Sequence, residues 1–440
     1  MEQHRLCQGP TSLPSELWLK IFAMATRLPG DLIVAPPYRI EACPHPSTMH
    51  SNRDSEETTR LKLDLVLVCR SWRQMATQFL YEIINMRLFG DPLGYKRVKA
   101  LLSIFKISAS ANGANGDNRK TGWSRRVPED GRFLVDKGAA DKLHHVEHGH
   151  GRWVKQLSFH TESVSVACVA AIVGHCPNLR TLIVDNAHIW REAKIHCILL
   201  PAIPASLRRL EIHDAWSGNT IQKFGTVLRR CPSIRAATLD CTGADYFGND
   251  PNRQPLLQLT DLTLLYPEVE YLDALMRWMP KLPYLTHLTL DWSRWCCRTD
   301  ILPQLVAVIK HLCPQLLFLD VRPSWGVTDV QFIQLCEDIS ASCLRLRGFV
   351  LRVEHALLPR LRFQSLTHLV IPNYHNRNFS INAKMRNILD LEVPALTCVR
   401  ILAGRDLQQS FTSGDWVGAY SERGIRVEDE DGMDLLHQPL

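Results

Sequence analysis

The sequence predicts an α/β chain: a small helical module at the N-terminus, then an irregular solenoid of parallel strands with helices on its convex face. Three observations carry this. Ten short segments between 153 and 401 repeat one leucine frame, two amphipathic stretches stand ahead of them, and apolar helical patterns alternate with the frames. At 440 residues and 45% hydrophobic, the chain can bury a sizeable core in two or three domains or in one elongated array.

The first amphipathic stretch is "LPSELWLKIF", residues 13–22. Pro14 suits the first turn of a helix, where a missing N–H costs nothing, and Glu16 sits where the helix dipole favours an acid. Leu13, Leu17, Ile21 and Ala25 then form one stripe at helical spacing, which Trp18 and Phe22 widen. The second stretch is "LDLVLVCRSWRQMATQFLYE", in which Leu65, Cys69, Trp72, Ala76 and Phe79 recur at spacings of three and four. It reads as one helix. Between them, "APPYRIEACPHPSTMHSNRDSEETTR" is rich in Pro, Ser and charge and reads as an exposed loop. The unit spans 11–85, with a disordered insertion near 34–60.

These two segments resemble the F-box, a helical module marked by a leading Leu-Pro-x-Glu and a trailing Val-Cys-x-x-Trp. Leu13, Pro14, Glu16, Leu17, Ile21 and Phe22 match the first mark, and Val68, Cys69, Arg70, Trp72 and Arg73 the second. The resemblance implies that the surplus apolar surface docks on the Skp-type adaptor of a cullin-RING ubiquitin ligase. The long insertion departs from the family pattern and puts a middle helix in doubt. The other reading is an ordinary helical hairpin packed on the rest of the chain.

The frame x-L-x-x-L-x-L occurs as "WVKQLSF" at 153, "NLRTLIV" at 178, "SLRRLEI" at 206, "SIRAATL" at 233 and "QLTDLTL" at 258. It continues as "YLTHLTL" at 284, "QLLFLDV" at 315, "RLRGFVL" at 345, "SLTHLVI" at 365 and "ALTCVRI" at 395, with 233, 345 and 395 the weaker members. Successive starts lie 20 to 31 residues apart, the pattern of leucine-rich repeats, in which each strand unit buries its apolar side only against its neighbours. "VACVAAIVGHCPNL", "IQKFGTVLRRCPSI" and "LPQLVAVIKHLCPQL" are helical patterns that end in Cys-Pro just before a frame, where proline stops the helix. Cys176, Cys231 and Cys313 recur too far apart for a zinc site with the usual close spacing and read as buried small hydrophobes. Thr328 and Asp329 match the Ile-Thr-Asp-x-x-Leu turn of the cysteine-containing repeats that often follow an F-box, which this segment resembles. A compact α/β domain is the competing architecture.

The array occupies 153–405. Residues 86–152 give a capping strand and a helix with Val98, Leu101, Leu102 and Phe105 inward, then a flexible Gly/Asn-rich insertion over about 108–151. Residues 406–440 read as a solvated tail, acidic at 428–434.

Composition excludes several classes. The net charge of +6 is mild and leaves no nucleic-acid footprint, and no apolar run reaches a membrane span. The N-terminus lacks the build of a secretory signal. Fourteen scattered cysteines without an export signal imply reduced thiols and a cytoplasmic or nuclear protein. His144, His145, His148 and His150 could converge on a metal, but in a flexible segment they read as a solvated loop. Arg119, Lys120, Arg125 and Arg126 around Trp123 form a basic-aromatic mixture that could touch RNA or an acidic partner, but four charges are a weak signal for either. No phosphate-binding, dinucleotide, nucleophile-elbow or metalloprotease motif is present, so no cofactor, metal or reaction is expected.

Alternate strand residues should face a concave surface. There they offer Glu211, Asp240, Asp291, Asp320, Arg322, Arg352 and Arg400, acids first and arginines later, a gradient suited either to a complementary target or to solubility. Trp190, Trp216, Trp292 and Trp325 fall 8 to 12 positions after their frame starts and should line one rim, as a target-binding ledge or as pins for their own loops. The expected function is that of a substrate receptor joining the adaptor to an unknown protein target. A scaffold outside any ligase is the alternative, and a thiol hydrolase hidden in an α/β domain the third.

Overall fold

A computed structural model describes residues 13–26, 52–86, 94–113, 149–160, 165–185, 202–212, 231–240, 258–265, 282–292, 301–322, 327–351, 361–372, 381–402 and 416–429, with isolated positions between them. They fall into two compact units, one carrying the first three strands and the other the remaining nine.

In the first unit α1 (Ser15–Ala25) starts directly after Pro14, which acts as the N-cap, and the Pro14 carbonyl accepts from the amides of Leu17 and Trp18. The helix α2 (Asn52–Val68) begins inside the segment expected to be loop, so the middle helix exists. The single helix expected over 63–82 is broken at Cys69, whose extended backbone (φ −159°, ψ 172°) ends α2 and starts α3 (Arg70–Glu82). The Cys69 sulfur accepts from the Trp72 amide at 3.4 Å, in the manner of an N-cap. Phe22, Ala76 and Phe79 form the core of this trio, with Trp18, Leu65, Trp72 and Met75 packed on them. The aromatic rings meet at tilted or edge-on angles, Trp18 to Trp72 at 4.9 Å and Phe22 to Trp72 at 4.8 Å.

From α3 the chain runs straight into β1 (Ile83–Met86), which pairs in parallel with β2 (Gln156–His160). The helix α4 (Gly94–Gly113) buries Val98, Leu101, Phe105 and Ala109, while Leu102 stays half-buried. The expected flexible insertion ends sooner than residue 151. A 3-10 turn over Gly149–Trp153 presses on α4, where the His150 amide donates to Ser108 Oγ. The His150 ring lies between Tyr81 and Trp153, 5.0 and 5.1 Å away and nearly parallel to both. Then α5 (Val166–Gly174), capped by Ser165, stops just before Cys176-Pro177 and leads to β3 (Thr181–Asp185).

The second unit stacks β4 (Arg209–Ile212), β5 (Ala236–Asp240), β6 (Asp261–Leu265), β7 (His287–Asp291), β8 (Phe318–Arg322), β9 (Gly348–Val350), β10 (His368–Pro372), β11 (Cys398–Leu402) and β12 (Arg426–Glu428). Each pairs in parallel with its neighbour in the chain. The ten expected frames are the strands β2 to β11. Register places Leu210, Ala237, Leu262, Leu288, Leu319, Phe349, Leu369, Val399 and Val427 in one column, all buried. Beside it runs a threonine ladder: the hydroxyls of Thr260, Thr286, Thr367 and Thr397 each donate to the carbonyl of a residue beside the preceding strand. Among the described residues four helices of this unit are complete: α6 (Leu302–Leu312), α7 (Asp329–Ser342), α8 (Ile381–Leu389) and α9 (Trp416–Glu422). Thr328 closes a capping box with Gln331 at the start of α7, where the Thr-Asp turn was expected.

Two expectations are corrected here. The C-terminal segment is no solvated tail, because α9 buries Trp416 and Tyr420, and Gly424, at φ +66°, turns the chain into β12. Val427 and Glu428 are buried there, so the acidic run begins inside the sheet. Nor are all the cysteines reduced packing residues: Cys313 and Cys343, at the C-caps of α6 and α7, form a disulfide. Cys69, Cys168, Cys176, Cys231, Cys336 and Cys398 do not.

Candidate functional site

The residues with a proposed adaptor role divide by side. Pro14, Glu16, Leu13, Leu17 and Ile21 face solvent, Leu17 being 42% and Ile21 37% exposed, and Val68 and Cys69 are exposed as well. Phe22 is core, and Trp72 is half-buried in the ring cluster. The stripe also holds Met24 (66% exposed) on α1, and Leu63 and Leu67 (69% exposed) extend an apolar surface along α2. Sequence reading missed these three. Met24 follows Ile21 at a spacing of three, a visible signal, whereas Leu63 and Leu67 lay in a helix assigned a different inward face. The trio has satisfied its own core with Phe22, Ala76 and Phe79 and still presents a row of large apolar side chains. Such a row marks an interaction surface when it is contiguous along a helix. Covering each half-exposed side chain would contribute about 1 kcal/mol.

In the second unit, the face opposite the leucine column carries the expected charged residues, but it pairs them internally. Arg322 donates from Nε to Asp320 on its own strand (2.8 Å) and from Nη1 to Asp291 on β7 (3.1 Å), and all three residues are buried. Burial opposes the charge on Arg322, and the two carboxylates outweigh that and hold it protonated. Arg400 on β11 reaches Glu428 on β12 at 2.6 Å, with Arg426 at 3.3 Å from the other oxygen. Arg209 and Glu211 form a further pair on β4. His287 Nδ1 lies 3.7 Å from Asp261 on β6 and 2.9 Å from the Thr286 hydroxyl. Burial pushes His287 down and Asp261 up, each partner only partly opposing the shift, so the contact is weaker as an ion pair than its distance suggests. Between these pairs Phe318, Val350 and Val370 form an apolar cluster.

The expected gradient of acids followed by arginines is thus, for Glu211, Asp291, Asp320, Arg322 and Arg400, a set of charges partnered within the face itself. Asp240 stands opposite Leu265 at the end of β5, and Arg352 lies outside the described residues. The tryptophan rim is corrected at its one described member: Trp292 is 3% exposed, with no hydrogen-bond partner for its indole nitrogen, and its amide donates to the Arg322 carbonyl. Trp190, Trp216 and Trp325 lie outside the described residues. So do His144, His145 and His148, while His150 is stacked as described above. Among the described residues no group of His, Cys, Asp and Glu could hold a metal ion, and no helix is long and apolar enough to cross a membrane.

Sequence-adjacent parallel strands on a shared leucine frame define the class: an α/β protein of leucine-rich-repeat-like architecture. No family model matches the chain, and no curated protein matches it. Among solved structures it is similar to the leucine-rich repeat-containing protein LegL7 from Legionella pneumophila, at 13% identity and a TM-score of 0.42, over 63% of this chain and 92% of that one. The architecture stated above rests on the strand register alone.

Proposed function

We propose that this chain is the substrate-receptor subunit of a Skp-cullin-F-box type ubiquitin ligase, with the N-terminal helices docking on the adaptor and the repeats holding a protein target. The observation that carries the reading is the exposed row of Leu13, just ahead of α1, and Leu17, Ile21 and Met24 on α1, beside a core that is already complete. The presence of α2 adds support, since the resemblance to the F-box had left a middle helix in doubt. In this reading the protein makes and breaks no bonds; it raises the target's effective concentration at a ubiquitin-charged enzyme held by other subunits. One observation favours an interaction scaffold outside any ligase instead. Trp72, one of the residues matching the F-box mark, packs inward.

The test is co-purification of the full chain from eukaryotic cells, with wild type compared to Leu17→Asp combined with Ile21→Asp. Wild type is expected to bring down a Skp adaptor and a cullin, and the double variant to lose both. Because both side chains point to solvent, the melting temperature should stay unchanged, which separates lost docking from lost folding. Recovery of adaptor and cullin in equal amounts by both proteins would contradict the proposal, as would recovery by neither.

A further inference from the structure

The repeat frame has a position three residues before its first leucine that serves as an apolar socket. It is filled by Cys176, Pro204, Cys231, Leu282, Cys313, Cys343, Phe363 and Val393 in eight of the frames. Leu282, Phe363 and the four cysteines are buried there. The socket therefore accepts almost any apolar side chain, and no bond is needed to fill it. Strands in a sheet are about 4.8 Å apart, so equivalent positions of successive repeats stand at disulfide distance, while those two repeats apart stand near 10 Å and out of reach. Cys176 and Cys231 carry no disulfide. Cys313 and Cys343 occupy successive repeats, with Cα atoms 4.5 Å apart, and are bonded.

We infer that the Cys313–Cys343 bond is a reversible, redox-controlled staple between two repeats that, among the described residues, are otherwise held by non-covalent contacts. The closed loop contains β8, and therefore the Arg322–Asp320 pair, and joins β8 to β9 at the ends of the helices that precede them. The inference does not depend on the proposed function. The co-reactant is a dithiol–disulfide couple. A thiolate of the dithiol attacks one protein sulfur, giving a mixed disulfide and one protein thiolate; its second thiolate displaces the other sulfur and closes a cyclic disulfide. The protein gains two electrons and two protons as two thiols, and the dithiol loses the same. Both sulfurs are buried, so exchange must pass through local opening of the repeat junction. The reduced form keeps two small apolar groups in their sockets and loses only the covalent link.

The experiment uses the full-length wild-type protein equilibrated with graded ratios of reduced to oxidised dithiothreitol, then acid-quenched, denatured and alkylated for mass analysis. One two-thiol step mapping to Cys313 and Cys343 is expected. Amide hydrogen exchange is then compared between the two end states. Peptides across 316–322 and 346–351 should exchange at least about tenfold faster in the reduced protein, with those across β4 to β6 unchanged. Three results would overturn the inference: thiols at 313 and 343 at every ratio, a bond that cannot be reduced without unfolding, or a clean two-thiol step with identical exchange on both sides of it. Because both states are wild type, no variant has to fold for the test to decide.

Discussion

Replacing Arg322 with Met removes the cation that Asp291 and Asp320 share and leaves two buried carboxylates facing one another across β7 and β8. At an effective dielectric near 20, each ion contact in the native protein is worth about 4 kcal/mol before desolvation, and desolvation of three buried groups offsets much of that. The net effect of keeping the triad is therefore small. Breaking it is costly, because the arginine's departure refunds none of the carboxylates' desolvation. A loss of about 3–5 kcal/mol is expected, most of it from Asp320, the less exposed of the two carboxylates. Urea unfolding followed by circular dichroism would measure it, with the chain carrying Asp291→Asn, Asp320→Asn and Arg322→Met as the control. That triple variant has no buried charge at this point and should recover to within about 2 kcal/mol of wild type, the remainder being two imperfectly bonded amides. A single variant within about 1 kcal/mol of wild type, or a triple variant no better than the single, would refute the account of this face as internally paired.

Two further outcomes follow from local geometry. Burial holds His287 below its ordinary value of 6.5, so between that value and its folded one the unfolded chain binds more protons and stability falls as pH drops. Asp261, held above its ordinary value, acts in the opposite sense at lower pH. Urea midpoints at pH 7.5, 6.5 and 5.5 should therefore fall more steeply for wild type than for His287→Gln, and parallel lines would show that the group is not buried as described. A methyl group added at Gly151 would collide with the backbone carbonyl of His175, so Gly151→Ala should destabilise the first unit by about 1–3 kcal/mol in a thermal melt. A melt equal to wild type would place the 3-10 turn elsewhere.

The strands were legible because the leucine frame is itself a statement of register. Even the weak frames at 233, 345 and 395 form β5, β9 and β11, since Ala237, Phe349 and Val399 occupy the same buried column as the leucines. The last strand escaped for a specific reason. In the β11 repeat the first two buried frame positions, Leu396 and Val399, stand three apart, whereas in the β12 repeat Ile425 and Val427 stand two apart, with Gly424 tightening the turn. The frame is broken although the column continues. The first half of α2 escaped because "NRDSEETTR" has no apolar residue to reveal a helical period, and the break at Cys69 escaped because cysteine is not among the usual capping residues.

The revised readings of the charged face and of the socket cysteines have one physical cause. Along each strand, alternation says which side chains share a face, and read in that direction Asp291, Asp320 and Arg322 become charges offered to a target. In a stack of parallel strands about 4.8 Å apart, the nearest neighbour of a side chain is often its counterpart one repeat away, and that partner is found by reading down the aligned frames. Read downward, the position after the frame's last leucine gives Leu265, Asp291 and Arg322, an acid beside its base. Two positions earlier the column runs through Val370, Arg400 and Glu428, and again the charge meets its opposite on the next strand. The socket column reads Cys313 and then Cys343, which changes a pair of small hydrophobes into a bond. In the two charged columns a residue that looked available to an outside partner is matched by the neighbouring repeat. The exposed stripe on α1 differs, because an isolated helix face has no repeat to stack on, and Leu17, Ile21 and Met24 remain uncovered where the strands' side chains do not.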